Sequence, residues 1–203
     1  MLPDPPDVDG VDLEALWAHV RRHLVDSESK ALGVVRAGIS DSAQKPWAQT
    51  NDGEDRVNLT LELKPEQLEL DLVGWKEGQS EALKSWLQSV EGEDAIHRLP
   101  GYEVVAFARR AYKKTPTSRP WWQDETVREL DTCPAGSFNA GWISMQMFGL
   151  ASPKEEKPAF HVRHAWTRAD ASSYGEELPR VIAGEVRRLI PILEAIWNPP
   201  ASN

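Results

Sequence analysis

The chain has 203 residues, of which 40% are hydrophobic and 27% charged, and a formal net charge of −9. These values suit one folded domain with a real core, and argue against a surface given over wholly to nucleic acid or anionic lipid. The single cysteine, Cys133, excludes an intramolecular disulfide and a cysteine-built zinc cluster, and no apolar run is long enough to span a membrane.

Residues 1–10 are acidic and proline-rich and read as a flexible leader. They lack the basic residues and following apolar run of a secretory signal, so the expected location is the cytoplasm. Asp9 or Asp12 is placed to cap a helix from about Val11 to Asp26, with Leu13, Leu16, Trp17, Val20 and Leu24 on one stripe and Gly33 as a stop. Val34 to Ile39 suits a short strand, and Ser40 to Asp55, with Pro46 and Gly53, reads as a loop.

The clearest signal follows. Val57, Leu59, Leu61 and Leu63 alternate with polar residues, Lys64-Pro65-Glu66-Gln67 turns the chain, and Leu68, Leu70 and Leu72 alternate with Glu69 and Asp71. Period-2 alternation gives both arms one apolar and one polar face, so this is a β-hairpin whose apolar side must be covered. Pro65 supplies the fixed φ of a type I turn. A helix from Gly78 to about Val90 comes next, with Ala82, Leu83, Trp86, Leu87 and Val90 apolar.

Leu99-Pro100-Gly101 leads into a strand over Tyr102 to Lys114, apolar in its first half and basic in its second. Thr115 to Thr132 reads as a loop with a short helical turn at Gln123–Leu130. Phe138 to Phe148 is apolar at nearly every position, as a strand buried on both faces would be. Phe160 to Arg168 alternates, with Phe160, Val162, His164 and Trp166 facing one way and His161, Arg163 and Thr167 the other. Glu176 to Trp197 is an amphipathic helix that Pro191 should bend.

Strands in groups rather than in strict alternation with helices predict an α+β fold. The expected form is one domain over residues 11–198, a mainly antiparallel sheet of about five strands packed against the N- and C-terminal helices, with 199–203 as a tail. The nine tryptophans imply a core or groove built on large rings. The strand pair, the helix after a glycine, the Leu99-Pro100-Gly101-Tyr102 entry into a strand and the final helix carrying RRLIPILEAIW together resemble the YktB-like group of bacterial domains over residues 30–197. That group has no agreed activity, so the resemblance implies an architecture and transfers no catalytic residue.

No nucleophile elbow, phosphate loop or dinucleotide fingerprint is present, and neither a catalytic residue nor a cofactor is assigned. His19 and His23 have the i,i+4 spacing of two zinc ligands. They lack the general-base Glu, and Arg21 and Arg22 stand between them, so they read as solvent-flanking. His161 and His164 point to opposite faces; His164 reads as a core histidine with a hydrogen-bond partner. Glu69 and Asp71 resemble the acidic strand of a metal-dependent nuclease. A following strand with Glu-x-Lys is required, and a helix follows instead, so a solvated sheet face is expected and no metal is assigned.

One segment departs from the acidic background: Arg109, Arg110, Lys113, Lys114 and Arg119, with Trp121 and Trp122. Basic groups interleaved with rings suit phosphate contact and stacking; the alternative is a solvated strand end paired with carboxylates. With His161 and Arg163 added where the strands neighbour, these residues form the expected binding surface of a non-catalytic interaction module. Its partner would be an acidic protein or a phosphate-bearing ligand. Two other readings stand beside it: an enzyme built around His161 and a carboxylate, and a nucleic-acid-associated defence or regulatory protein, which the net charge opposes.

Overall fold

The computed structural model describes residues 12–39, 46–50, 56–110, 127–146, 148, 150 and 156–198. Its centre is the expected hairpin, β3 (Asn58–Leu63) and β4 (Gln67–Val73), with Leu59 opposite Leu72, Leu61 opposite Leu70 and Leu63 opposite Leu68. Lys64 and Gln67 exchange backbone hydrogen bonds of 2.8 and 3.3 Å around Pro65-Glu66, so the proline sits at the turn position its fixed φ suits. Leu59, Leu61, Leu70 and Leu72 are completely buried. Each such leucine contributes on the order of 2 kcal/mol relative to exposure, which fixes the register.

Five more strands extend the hairpin: β1 (Val35–Ile39), β2 (Pro46–Thr50), β5 (Tyr102–Arg110), β6 (Val127–Pro134) and β7 (Glu156–Thr167). The sheet order is β1-β2-β3-β4-β7-β5-β6, every neighbouring pair antiparallel. The chain is therefore α+β with one antiparallel sheet of seven strands. The last strand, β7, lies between β4 and β5 and brings polar residues of three strands side by side.

Helices cover the leucine side: α1 (Leu13–Arg22), α2 (Asp26–Ala31), α3 (Glu77–Leu87), α4 (Val90–His97), α5 (Ala140–Gln146), α6 (Arg168–Tyr174) and α7 (Leu178–Trp197). Asp12 caps α1 by accepting from the Ala15 amide at 3.0 Å, and Trp17 donates through Nε1 to the Ala48 carbonyl at 3.1 Å. Gly33, with φ of 57°, ends α2 in a left-handed conformation that a side chain would resist. In Leu99-Pro100-Gly101-Tyr102, Gly101 has φ of 81° and the Tyr102 amide donates to the Leu99 carbonyl at 3.2 Å, as a type II turn requires. Ile182, Val186, Leu189 and Leu193 of α7 are fully buried, and the helix continues through the exposed Pro191.

Three expectations are corrected. Phe138 to Phe148 is not a strand: a 3-10 turn (Ala135–Ser137) is followed by α5. The Asn139 side chain accepts from the Trp142 amide at 3.1 Å and Glu93 of α4 accepts from the Ala140 amide at 2.9 Å. Those caps start a helix that buries Phe138, Trp142, Ile143 and Gln146 while Met145 and Phe148 stay exposed. The supposed loop of Ser40 to Asp55 contains β2, held between β1 and β3 although it alternates over too few residues to show a period. The segment expected to make a helical turn at Gln123–Leu130 is strand from Val127, paired with β5; residues 123–126 lie outside the described ones. Three helices, α2, α4 and α6, were not foreseen.

Candidate functional site

The opposite face of the sheet carries polar residues, yet it is not solvated as the alternation suggests. Glu69 is 1% exposed, Asp71 3%, Thr60 3%, and Arg109 and Arg163 8% each. Register explains their meeting. Thr60 lies opposite Asp71 and Glu62 opposite Glu69 across β3 and β4; Asp71 lies opposite Arg163 and Val73 opposite His161 across β4 and β7. Across β7 and β5, Glu103 faces Arg163 and Val105 faces His161.

Arg163 organises one half of this face. Its guanidinium donates to Glu103 at 2.6 Å and reaches Glu69 at 3.4 Å and Glu129 at 3.6 Å. Burial alone would lower the Arg163 pKa. The charges of Glu69, Glu103 and Asp71 outweigh it and hold the value above the ordinary one, so the group stays charged. Glu69 also accepts from Lys64 at 2.5 Å and from the Gln67 side chain.

The other half is aromatic. Arg109 donates to the carbonyls of Gly74 at 3.2 Å and Trp75 at 2.7 Å, and its guanidinium lies 5.8 Å from the Trp75 ring centre. Trp75 meets His161 edge-on at 5.5 Å, and Phe107 stacks at a tilt on the same imidazole at 4.5 Å. His161 Nδ1 stands 3.7 Å from Asp71 Oδ1, outside hydrogen-bond range.

Three buried polar atoms on this face have no hydrogen-bond partner: Thr60 Oγ1, Asp71 Oδ1 and Trp75 Nε1. An unsatisfied buried group costs about 1–3 kcal/mol. Among the described residues Arg21 Nε, His164 Nδ1 and Trp197 Nε1 are also without a partner, and what sets this face apart is that Thr60 and Asp71 lie directly opposite one another. Glu62, Glu69 and Asp71 offer oxygens that lie within 4.8 Å of one another.

Of the residues expected to bind, Arg109, His161 and Arg163 share this face, with Arg109 and Arg163 six register positions apart along β7 and each a buried, internally bonded group. The expectation of outward cationic side chains is corrected for these two: β7, inserted between β4 and β5, brings Arg163 beside the carboxylates of Glu69, Glu103 and Glu129 on β4, β5 and β6, while Arg109 of β5 reaches the carbonyls of Gly74 and Trp75 just after β4. Arg110 belongs to β5 opposite Glu156, while Lys113, Lys114, Arg119, Trp121 and Trp122 lie outside the described residues. Sequence reasoning passed over Thr60, Glu62, Lys64 and Trp75. The missed signal was Glu62-Leu63-Lys64, a Glu-x-Lys that runs from the end of β3 into the turn before the acidic pair, whereas the motif was sought only on a strand after it.

His164, on the helix side, packs against Tyr102 at 4.8 Å and Trp166 at 4.5 Å. No hydrogen bond of its Nδ1 meets strict geometry, and the Gly101 backbone is the ring's one hydrogen-bonding neighbour. Burial lowers its pKa, with Arg188 adding to the effect and Glu185 and the Gly101 backbone opposing it. A depressed folded-state value means the neutral ring is the folded form. Its contribution should be intact above the unfolded value of about 6.5 and lost as pH falls below it. Urea melts between pH 8 and pH 5 should show this decline, and His164→Phe should reduce it.

Comparison with protein-family models, with curated proteins and with solved structures finds no match for this chain.

Proposed function

We propose that this protein is a non-catalytic binding module whose ligand is held on the polar face of the sheet, centred on Asp71. The observation that carries the proposal is the cross-strand pair Thr60 and Asp71, whose buried Oγ1 and Oδ1 have no hydrogen-bond partner. A carboxylate oxygen and a hydroxyl without donors, beside the rings of Trp75, His161 and Phe107, call for a ligand that presents positive charge or hydrogen-bond donors. An acidic or phosphate-bearing partner was expected from the basic segment. With Arg109 and Arg163 engaged internally, the described geometry favours the opposite charge in the ligand.

A thermal-shift screen of divalent cations, alkylammonium compounds, polyamines and nucleotides tests this. Cationic members should raise the melting temperature of the wild type and not of Asp71→Asn. A stabilising set made only of anions, or one indifferent to Asp71→Asn, would refute it. Thr60→Val removes an unpaired hydroxyl at constant shape and should leave stability unchanged or raise it by about 1 kcal/mol. Loss of more than that amount in urea melts would show the hydroxyl to be structural.

A second reading, catalysis with His161 as general base and Asp71 orienting it, requires their 3.7 Å separation to close to a hydrogen bond when substrate binds. A bound compound turned over by the wild type and returned intact by His161→Gln would support it.

A further inference from the structure

We infer that Thr60, Glu62, Glu69 and Asp71 form a binding site for one hard divalent cation of magnesium or manganese size. This rests on the polar face being the ligand site, and goes further by naming the ligand. The four residues make a square of two directly opposed pairs, Thr60 with Asp71 and Glu62 with Glu69. All four offer oxygen, the donor such ions prefer. The carboxylate oxygens lie within 4.8 Å of one another, so one ion reaches all three with small side-chain rotations.

Two further observations point to an ion rather than to an ordinary acidic surface. Thr60 and Asp71 are each 3% exposed, and Thr60 Oγ1 and Asp71 Oδ1 have no hydrogen-bond donor. Thr60 is not acidic, so its vacant hydroxyl is independent of the carboxylate cluster. Lys64 and Arg163 contact Glu69, and Glu62 has a further polar contact of its own. The ion is therefore held chiefly by Asp71 and the Thr60 hydroxyl, with Glu62 and Glu69 closing the square. Lys64 and Arg163 stand behind Glu69 and limit its share.

The test titrates the full chain, stripped with chelator, with manganese chloride, reading free Mn2+ by its paramagnetic resonance signal. One saturable equivalent is expected, displaced by excess magnesium. Asp71→Asn should weaken binding by about tenfold or more and Thr60→Val should weaken it less, whereas Glu176→Gln, on an exposed turn, should leave it unchanged. Were Asp71→Asn not to fold, Thr60→Val and selective broadening of the His161 and Trp75 ring resonances by Mn2+ would still locate the ion. Absence of a saturable equivalent, or binding that survives Asp71→Asn and Glu62→Gln together, overturns the inference. If alkylammonium compounds bind in an Asp71-dependent way and manganese does not, the inference fails while the broader reading of the face stands. If neither class binds, both fail.

Discussion

Replacement of Arg163 by methionine should destabilise the fold by about 3–5 kcal/mol, because it leaves a buried carboxylate without one of its two counter-charges. The partner that decides the size of the effect is Glu69, whose side chain is 1% exposed, against 10% for Arg163. Glu103 and Glu129 are more exposed, at 32% and 48%, so water compensates them and they contribute little to the loss. Lys64 still reaches Glu69 at 2.5 Å, which places the effect towards the lower end of that range. The melting temperature should drop by roughly 10 °C for a domain of this size. Adding Glu69→Gln to Arg163→Met should recover part of the loss, giving a coupling of about 1–3 kcal/mol in a double-mutant cycle. A single-mutant loss under 1 kcal/mol in urea melts would show that the pair behaves as a solvated one.

Trp17→Ala should have a comparable effect through a different cause. Trp17 is 1% exposed among the core residues of α1, α7 and the sheet, and deletion of a buried tryptophan side chain costs about 3–5 kcal/mol. The change also removes the hydrogen bond that the Ala48 carbonyl accepts from the indole at 3.1 Å. Ala48 lies in β2, bonded to β1 on one side and β3 on the other. The loss should therefore appear as early amide exchange in β1 and β2, ahead of β4 and β7. Trp17→Phe keeps most of the apolar volume and should cost less than half as much. Exchange that rises evenly across the sheet would contradict a role in securing this edge.

The parts of the fold legible from the residues alone are those where one local rule acts without competition. Leu59, Leu61, Leu70 and Leu72 alternate over arms long enough to show the period, and Pro65 marks their turn, so the hairpin and its apolar side could be read directly. Leu99-Pro100-Gly101 states its turn as clearly, since only glycine accepts the φ of 81° found there. Pro46 to Thr50 is too short and polar to show a period, and it becomes a strand because β1 and β3 supply its hydrogen bonds. Phe138 to Phe148 shows the reverse failure. An unbroken apolar run fits a buried strand or a helix, and the caps from Asn139 and Glu93 decide for the helix.

The candidate site divides in the same way. That Glu69 and Asp71 share a face, and that His161 and Arg163 share one, follows from the pleat alone. Whether those two faces are one surface depends on which strands neighbour, and that was settled by β7 entering between β4 and β5. The same insertion turned Arg109 and Arg163 from expected surface charges into buried groups, because hydrogen-bond partners remote in the chain came within reach. Alternation along a strand is a local property and is written in the residues; strand order is a global one, set by which pairing buries the most apolar surface and satisfies the most backbone groups at once.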